Sequence, residues 1–303
     1  MAEMSLSPSS PLDLLRTYQS KRLQQFSKVF DASRYHVQVL IVDDDSTRAR
    51  TCESLLERVS IWADAGWWIW PSSASIGGVQ EGSRSVLPSL RRSFDQLGLC
   101  RTRLEAASTQ LAPSDLLGAY DVVLCIDMDV LGVVRTMARE NGGDEAIVLS
   151  MTDFLAYGGD RMDCLDDDLR SLVALHYATV TSGSLIELPS AYPSNSGAWE
   201  QFLAASALTS AGLVGFLKDE IDNFFVCSFQ ELLNLHFPTA ESCSICTTQE
   251  AVALLRKHQV TGGLDPKMRE AMFKAHCAQL CEGVRKGGCA AEHATGSEDR
   301  REG

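Results

Sequence analysis

An apolar run of strand length that breaks on three consecutive aspartates and resumes at helical spacing constrains this chain more than any other segment. Val37, Val39, Leu40, Ile41 and Val42 make the run, Asp43, Asp44, Asp45 and Ser46 break it, and Cys52, Leu55, Leu56 and Val59 recur on one helical face. A buried parallel strand feeding a helix reads this way. Ligands of open α/β sheets bind past the carboxyl end of such strands, where the N–H groups of the helix start point outward. Asp43 to Arg50 is therefore the expected site. Its chemistry is unusual, because three carboxylates precede the two arginines and would repel a phosphate at close range. The loop suits a cation, or an anion site that has lost its function.

The rest of the chain extends the pattern. Ser10, Pro11 and Asp13 cap an amphipathic helix expected to run to about residue 30, an N-terminal brace. Trp67 to Trp70 reads as a second strand ending at Pro71, with Trp62, Trp67, Trp68 and Trp70 expected in the core. Leu87 to Leu97 reads as a helix stopped by Gly98. Val122 to Ile126 is another buried strand, with Asp127 and Asp129 at its carboxyl end facing the same edge as Asp43. A helix over 130–138 and a strand over 146–151 complete a doubly wound, parallel α/β sheet.

Composition limits the function classes. The 303 residues include 27 basic and 40 acidic side chains, a formal charge of −13 that argues against nucleic acid or an anionic membrane as partner. No unbroken apolar run approaches the ~18 residues of a membrane span. Ten cysteines without a secretory signal read as buried or metal-binding thiols in a reducing compartment. The expectation is a soluble intracellular protein, cytoplasmic in preference to organellar, with a plastid left open.

Three segments carry a resemblance. The strand–loop–helix at 37–59 is followed far downstream by Tyr120-Asp121-Val122-Val123-Leu124-Cys125-Ile126-Asp127, and then by Glu187-Leu188-Pro189-Ser190-Ala191-Tyr192-Pro193 ahead of Gly197-Ala198-Trp199. In this order they resemble the low-molecular-weight protein tyrosine phosphatases over about residues 36–225, with an insertion at about 158–185. That family has a Cys-x5-Arg phosphate loop after the first strand and an Asp-Pro-Tyr-Tyr loop before a long helix. The resemblance places Asp43 where the nucleophilic cysteine would stand, Asp45 at the loop glycine, Ala49 at the phosphate-binding arginine and Ser190 at the general acid. It thus implies the fold with its catalytic residues lost, since no thiolate nucleophile and no carboxylic acid remain for phosphoryl transfer. The Cys-x5-Arg strings at Cys52 to Arg58, inside the expected helix, and at Cys164 to Arg170, among aspartates, read as coincidences.

The expected architecture is a tail and helix over 1–35, the phosphatase-like domain over 36–225, a helical, cysteine-containing extension over 226–286 and a disordered tail over 287–303. The expected function is a pseudophosphatase, a scaffold or module that binds protein partners. The alternatives are a phosphatase with residual or altered activity, using Ser46, Thr47, Arg48 and Arg50 on the anion, and a receiver-like sensor holding Mg²⁺ at Asp43, Asp44 and Asp127. The 84 positions between Asp43 and Asp127 oppose the receiver. Residues 158–168 read as a solvated acidic loop, followed by a helix over 169–179 and a long helix over 198–221. Thr247 to Glu250 is a capping box and Asp265-Pro266 a second helix start. Cys243, Cys246, Cys277 and Cys281, with His276, supply enough ligands for zinc.

Overall fold

The computed structural model describes residues 10–26, 35–44, 46–77, 88–106, 109–142, 147–181, 196–256, 258 and 264–294. The stretch 187–195, with Ser190, lies outside the described residues, as do Asp45, the first nine residues and Gly262-Gly263. The elements are α1 (Pro11–Phe26), β1 (Val37–Asp43), α2 (Ser46–Trp62), β2 (Ile69–Ser75), α3 (Pro88–Gln96), α4 (Arg101–Leu104), β3 (Val122–Cys125), α5 (Met128–Glu140), β4 (Ile147–Ser150), α6 (Leu155–Asp160), α7 (Asp167–Thr181), α8 (Ser196–His236), α9 (Ala240–Ser244), α10 (Thr248–Leu255) and α11 (Pro266–Ala294). They divide into two units, residues 1–21 with 33–219 and residues 22–32 with 220–303.

The first unit is a doubly wound α/β domain. Its four strands are parallel in the order β2-β1-β3-β4, so the chain reverses direction across the sheet between β1 and β3. In the register, Val42 stands beside Cys125, which puts Asp43 and the residues after β3 at one crevice. On one face Leu40, Val42, Val123 and Cys125 pack against Val130, Leu131 and Val134 of α5. On the other face Val39, Ile41, Val122 and Leu124 are equally buried. Burial on both faces is why β1 reads as an unbroken apolar run and not as an alternation. None of the buried residues of α2 belongs to the α5 cluster; α2 packs on β1 and β2, and its Cys52 Sγ meets Ser206 Oγ of α8 at 3.4 Å. Tyr18 of α1 donates to Asp121 Oδ1 at 2.7 Å, whose other oxygen accepts from Gln38 N, so the N-terminal helix braces the start of β1.

Several expectations change. β2 begins at Ile69 and runs through Pro71 to Ser75, with Pro71 opposite Val39. β2 is an edge strand, where a residue without an N–H is tolerated. Of the clustered tryptophans only Trp68 is core, whereas Trp62, Trp67 and Trp70 are 54%, 53% and 48% exposed. The expected solvated acidic loop is instead a packed junction of short helical turns between α6 and α7: Asp166 is buried, accepts from Leu169 N at 3.0 Å at the start of α7, and pairs with Arg58 at 2.5 Å. Gly158 is there for packing, since a Cβ on it would meet the Leu208 carbonyl oxygen of α8 at 2.0 Å.

The helix expected to close at 221 continues to His236. By length and hydropathy its span Ala198–His236 could cross a membrane, but 89% of the most apolar window is buried within the protein. In the second unit Phe225, Phe229, Leu233 and Phe237 gather Cys243, Ala251, Leu255 and Phe273 into a separate core. The Thr247 capping box forms, with Thr247 Oγ1 accepting from Glu250 N at 3.3 Å and Glu250 Oε2 from Thr247 N at 2.8 Å. Residues 287–294, expected as tail, belong to α11.

Candidate functional site

Asp43 ends β1 and Asp127 follows β3, so these neighbouring strands deliver two carboxyl groups to the point where the strand order reverses, the usual ligand position of an open α/β sheet. Asp44 joins them, and ligand oxygens of the three lie within 4.8 Å of one another. Between them sits a guanidinium. Arg48 Nε donates to Asp43 Oδ2 at 2.6 Å and Nη2 to Asp43 Oδ1 at 2.7 Å, a bidentate pair. The same Nη2 also reaches Asp44 Oδ1 at 2.9 Å and Asp127 Oδ2 at 3.0 Å, so its two hydrogens are shared among three acceptors. Asp127 Oδ1 meanwhile accepts from Val130 N at 2.9 Å and caps α5.

The local sequence explains this arrangement. Arg48 lies in the first turn of α2, where the helix dipole disfavours a cation, and the acids around it supply the compensation. The cluster grades from wholly buried Asp43 and 8% exposed Arg48 to Asp127 at 17% and Asp44 at 64%. Burial pushes the Asp43 carboxyl up to about 8, with Asp44 and Asp127 adding to the rise and Arg48 pulling against it. The guanidinium is itself raised by Asp43, so the two partners point opposite ways for the pair: the arginine favours ionisation and the carboxyl resists it. Burial prevails at Asp43, because this side chain is wholly buried and the guanidinium of Arg48 beside it is divided among three acids.

The site residues read from sequence therefore separate. Asp43, Asp44 and Asp127 come together, but the cation at their centre is the chain's own Arg48. The resemblance sought an arginine at position 49; the guanidinium that faces position 43 is supplied one residue earlier. Ala49 is fully buried and lines a different space. That space is a cavity of about 280 Å³ beside the start of α2, shared by Ser46, Arg50, Ser73, Arg103 and Tyr120. Arg50 there donates to Ser46 Oγ at 3.1 Å, and Arg103 is held by Glu53 at 2.5 Å and Glu57 at 2.6 Å. Thr47 lies outside its lining, and its carbonyl accepts from Thr51 Oγ1. The carboxylate partners of Arg103 were not read from sequence, where only the helical spacing of Glu53 and Glu57 hinted at a shared face.

Neither Cys-x5-Arg string makes a nucleophile. Cys52 is fully buried within α2, and burial pushes its thiol up to about 12. Cys164 is buried and raised as well, by burial and by Asp163. A thiol so placed is not a thiolate near neutral pH.

No protein-family model matches this chain, and no curated protein sequence does. Solved structures do. YfkJ from Bacillus subtilis is 16% identical with a TM-score of 0.45, over 61% of this chain and 96% of its own. A protein tyrosine phosphatase from Entamoeba histolytica with Hepes in its active site is 14% identical with a TM-score of 0.45, over 61% and 97%. A low-molecular-weight phosphotyrosine phosphatase from Vibrio cholerae O395 is 13% identical with a TM-score of 0.42, over 61% and 98%. At such identities and scores these are likenesses in outline, and the chemistry of the site stands on the residues of this chain.

Proposed function

We propose that this chain is a catalytically impaired, phosphatase-like protein, a pseudophosphatase that serves as a scaffold or protein-binding module. One observation carries the reading: the position at the end of β1 holds a buried carboxyl, Asp43, gripped by Arg48, where phosphoryl transfer would need an exposed thiolate beside an uncommitted guanidinium. Asp44 and Asp127 add two more acceptors on the same guanidinium, and their carboxylates offer nothing to a phosphate dianion. A magnesium sensor would have to displace Arg48 from all three acids at once.

A second reading rests on the Ser46, Arg50 and Arg103 cavity, which carries two guanidinium groups and hydroxyls beside the Glu53 carboxylate that holds Arg103, and which would bind an anion, apart from hydrolysis, through Arg50 and the hydroxyls. The test is hydrolysis of p-nitrophenyl phosphate by the metal-defined full-length protein, beside a variant carrying Asp43→Cys and Ser190→Asp, with inorganic phosphate binding measured on both. The natural protein is expected to match a heat-denatured control. Turnover well above that control overturns the proposal; phosphate binding without turnover selects the second reading.

A further inference from the structure

A groove of about 300 Å³ lies along α2 in the first unit, lined by none of the acids at the end of β1. Ser54, Glu57, Arg58, Ile61 and Trp62 line it at the three- and four-residue spacing of one helical face. Leu99 and Cys100 come to it from the turn between α3 and α4, and Asp166 from the start of α7. That turn fixes the cysteine. Gly98 takes a φ of +60°, Leu99 N donates to the Phe94 carbonyl at 2.8 Å, and the Cys100 carbonyl accepts from Arg103 N at 3.2 Å. Arg103 is in turn held by Glu53 and Glu57 of α2.

The groove carries two donors that the described residues leave unused. Ser54 is 2% exposed, lies on the lining face of α2, and its hydroxyl has no hydrogen-bond partner among the described residues. A buried hydroxyl left unpaired is costly, so this one calls for an acceptor from a ligand. Arg58 gives Nε to Asp166 at 2.5 Å and Nη2 to Asp168 at 3.2 Å, but its Nη1 makes no bond among the described residues and lies 3.5 Å from where a Cβ on Gly98 would stand. The two acids of the lining, Glu57 and Asp166, are each paired with an arginine. Beside these groups Ile61 and Trp62 present exposed apolar surface. Such a lining suits a small molecule with an apolar stem and carbonyl acceptors.

Cys100 supplies the means of holding one. It is exposed, and its Sγ lies 3.0 Å from Thr102 Oγ1. That hydroxyl first, and Arg103 after it, hold the thiol below its ordinary value, whereas burial pushes the Cys52, Cys125 and Cys164 thiols up. The cysteines of the second unit offer no comparable site: among the described residues no three of their sulfurs converge, and His276 is committed to Gln230 at 3.1 Å and to the Phe237 carbonyl at 2.8 Å.

We infer that Cys100 is a site of reversible mixed-disulfide formation with a small peptide-type thiol of the glutathione class, whose carbonyl groups accept from Ser54 and Arg58 while its chain lies along Ile61 and Trp62. The co-reactant is the disulfide of that thiol. The Cys100 thiolate, its proton given to solvent, attacks one sulfur; a bond from Cys100 Sγ to that sulfur forms as the disulfide bond breaks, and the other half leaves as a thiolate with the electron pair and takes up a proton. Cys100 is oxidised and the departing sulfur reduced.

The test incubates reduced full-length protein anaerobically with glutathione disulfide near neutral pH and follows it by intact mass and peptide mapping. One glutathionyl group per chain is expected first on Cys100, roughly three to ten times faster than on Cys227 and Cys281, the other exposed cysteines among the described residues. Thr102→Val is expected to move the pH profile of Cys100 alkylation by iodoacetamide upward, and Thr102→Ser to leave it in place. Trp62→Ala, at an exposed position, is expected to slow the reaction with glutathione disulfide several-fold and to leave that with hydroxyethyl disulfide, which has no amide groups, unchanged. The inference is overturned if Cys227 or Cys281 reacts as fast as Cys100, or if Thr102→Val leaves the profile in place. It is overturned equally if Trp62→Ala spares the glutathione disulfide reaction or slows both disulfides alike.

Discussion

Replacing Asp43 with asparagine separates the two forces that act on the buried carboxyl. The native carboxyl is raised from 3.8 to about 8, while its unfolded counterpart keeps the ordinary value. Between these values the folded chain binds more protons than the unfolded one, so this group's contribution to stability falls as pH rises and is fully lost above the folded pKa. A shift of about four units corresponds to roughly 5 kcal/mol, to order of magnitude, and no discount for solvent screening applies to a side chain with no exposure.

The amide that replaces the carboxyl does not titrate. Its N–H would face a guanidinium donor, a mismatch costing about 1–3 kcal/mol that does not vary with pH. The diagnostic quantity is therefore the slope: relative to the natural protein, Asp43→Asn is expected to gain several kcal/mol between pH 5 and pH 9. All five tryptophans lie in the first unit, so intrinsic fluorescence during urea unfolding reports the domain that contains Asp43. A flat difference across this pH range, or a natural protein that gains stability over the variant as pH rises, would mean that Arg48 outweighs burial and that the reasoning is wrong.

The two glycines of opposite environment make a paired test. Gly158→Ala forces a methyl to within 2.0 Å of the Leu208 carbonyl oxygen and should cost about 1–3 kcal/mol or more, read by the same urea titration. Gly132→Ala, with nothing within 4 Å of its added Cβ in α5, should instead stabilise by up to about 1 kcal/mol through helix propensity, and a loss there would show a contact the helix surface does not have. Thr247→Ala removes the cap of α10 and should cost about 1 kcal/mol in the second unit, which has no tryptophan and is followed by far-ultraviolet circular dichroism.

Periodicity made the elements legible. Buried runs at 37–43 and 122–125, the 3.6-residue recurrence through Cys52, Leu55, Leu56 and Val59, and the Ser10 and Thr247 caps are local signals, and each element formed where they stood. Asp43 and Asp127 could be assigned to one edge because parallel strands share their carboxyl ends. Local signals do not say how long an apolar helix continues, so α8 passed through residue 221 unannounced. Nor do they say which faces become edges. Pro71 is accommodated in β2, and Trp70 beside it is exposed, because β2 lies at the edge of the sheet.

The sequence by itself determined that carboxyl groups would crowd the end of β1 with no thiol among them, because residue identity at a strand end needs no neighbours to be read. Only the tertiary structure decided that Arg48, and not Ala49, turns onto Asp43, and that Asp166 is buried against Arg58. Pairing of charges depends on helix rotation and strand order, and a change of one residue in a helix rotates the side chain by about 100°.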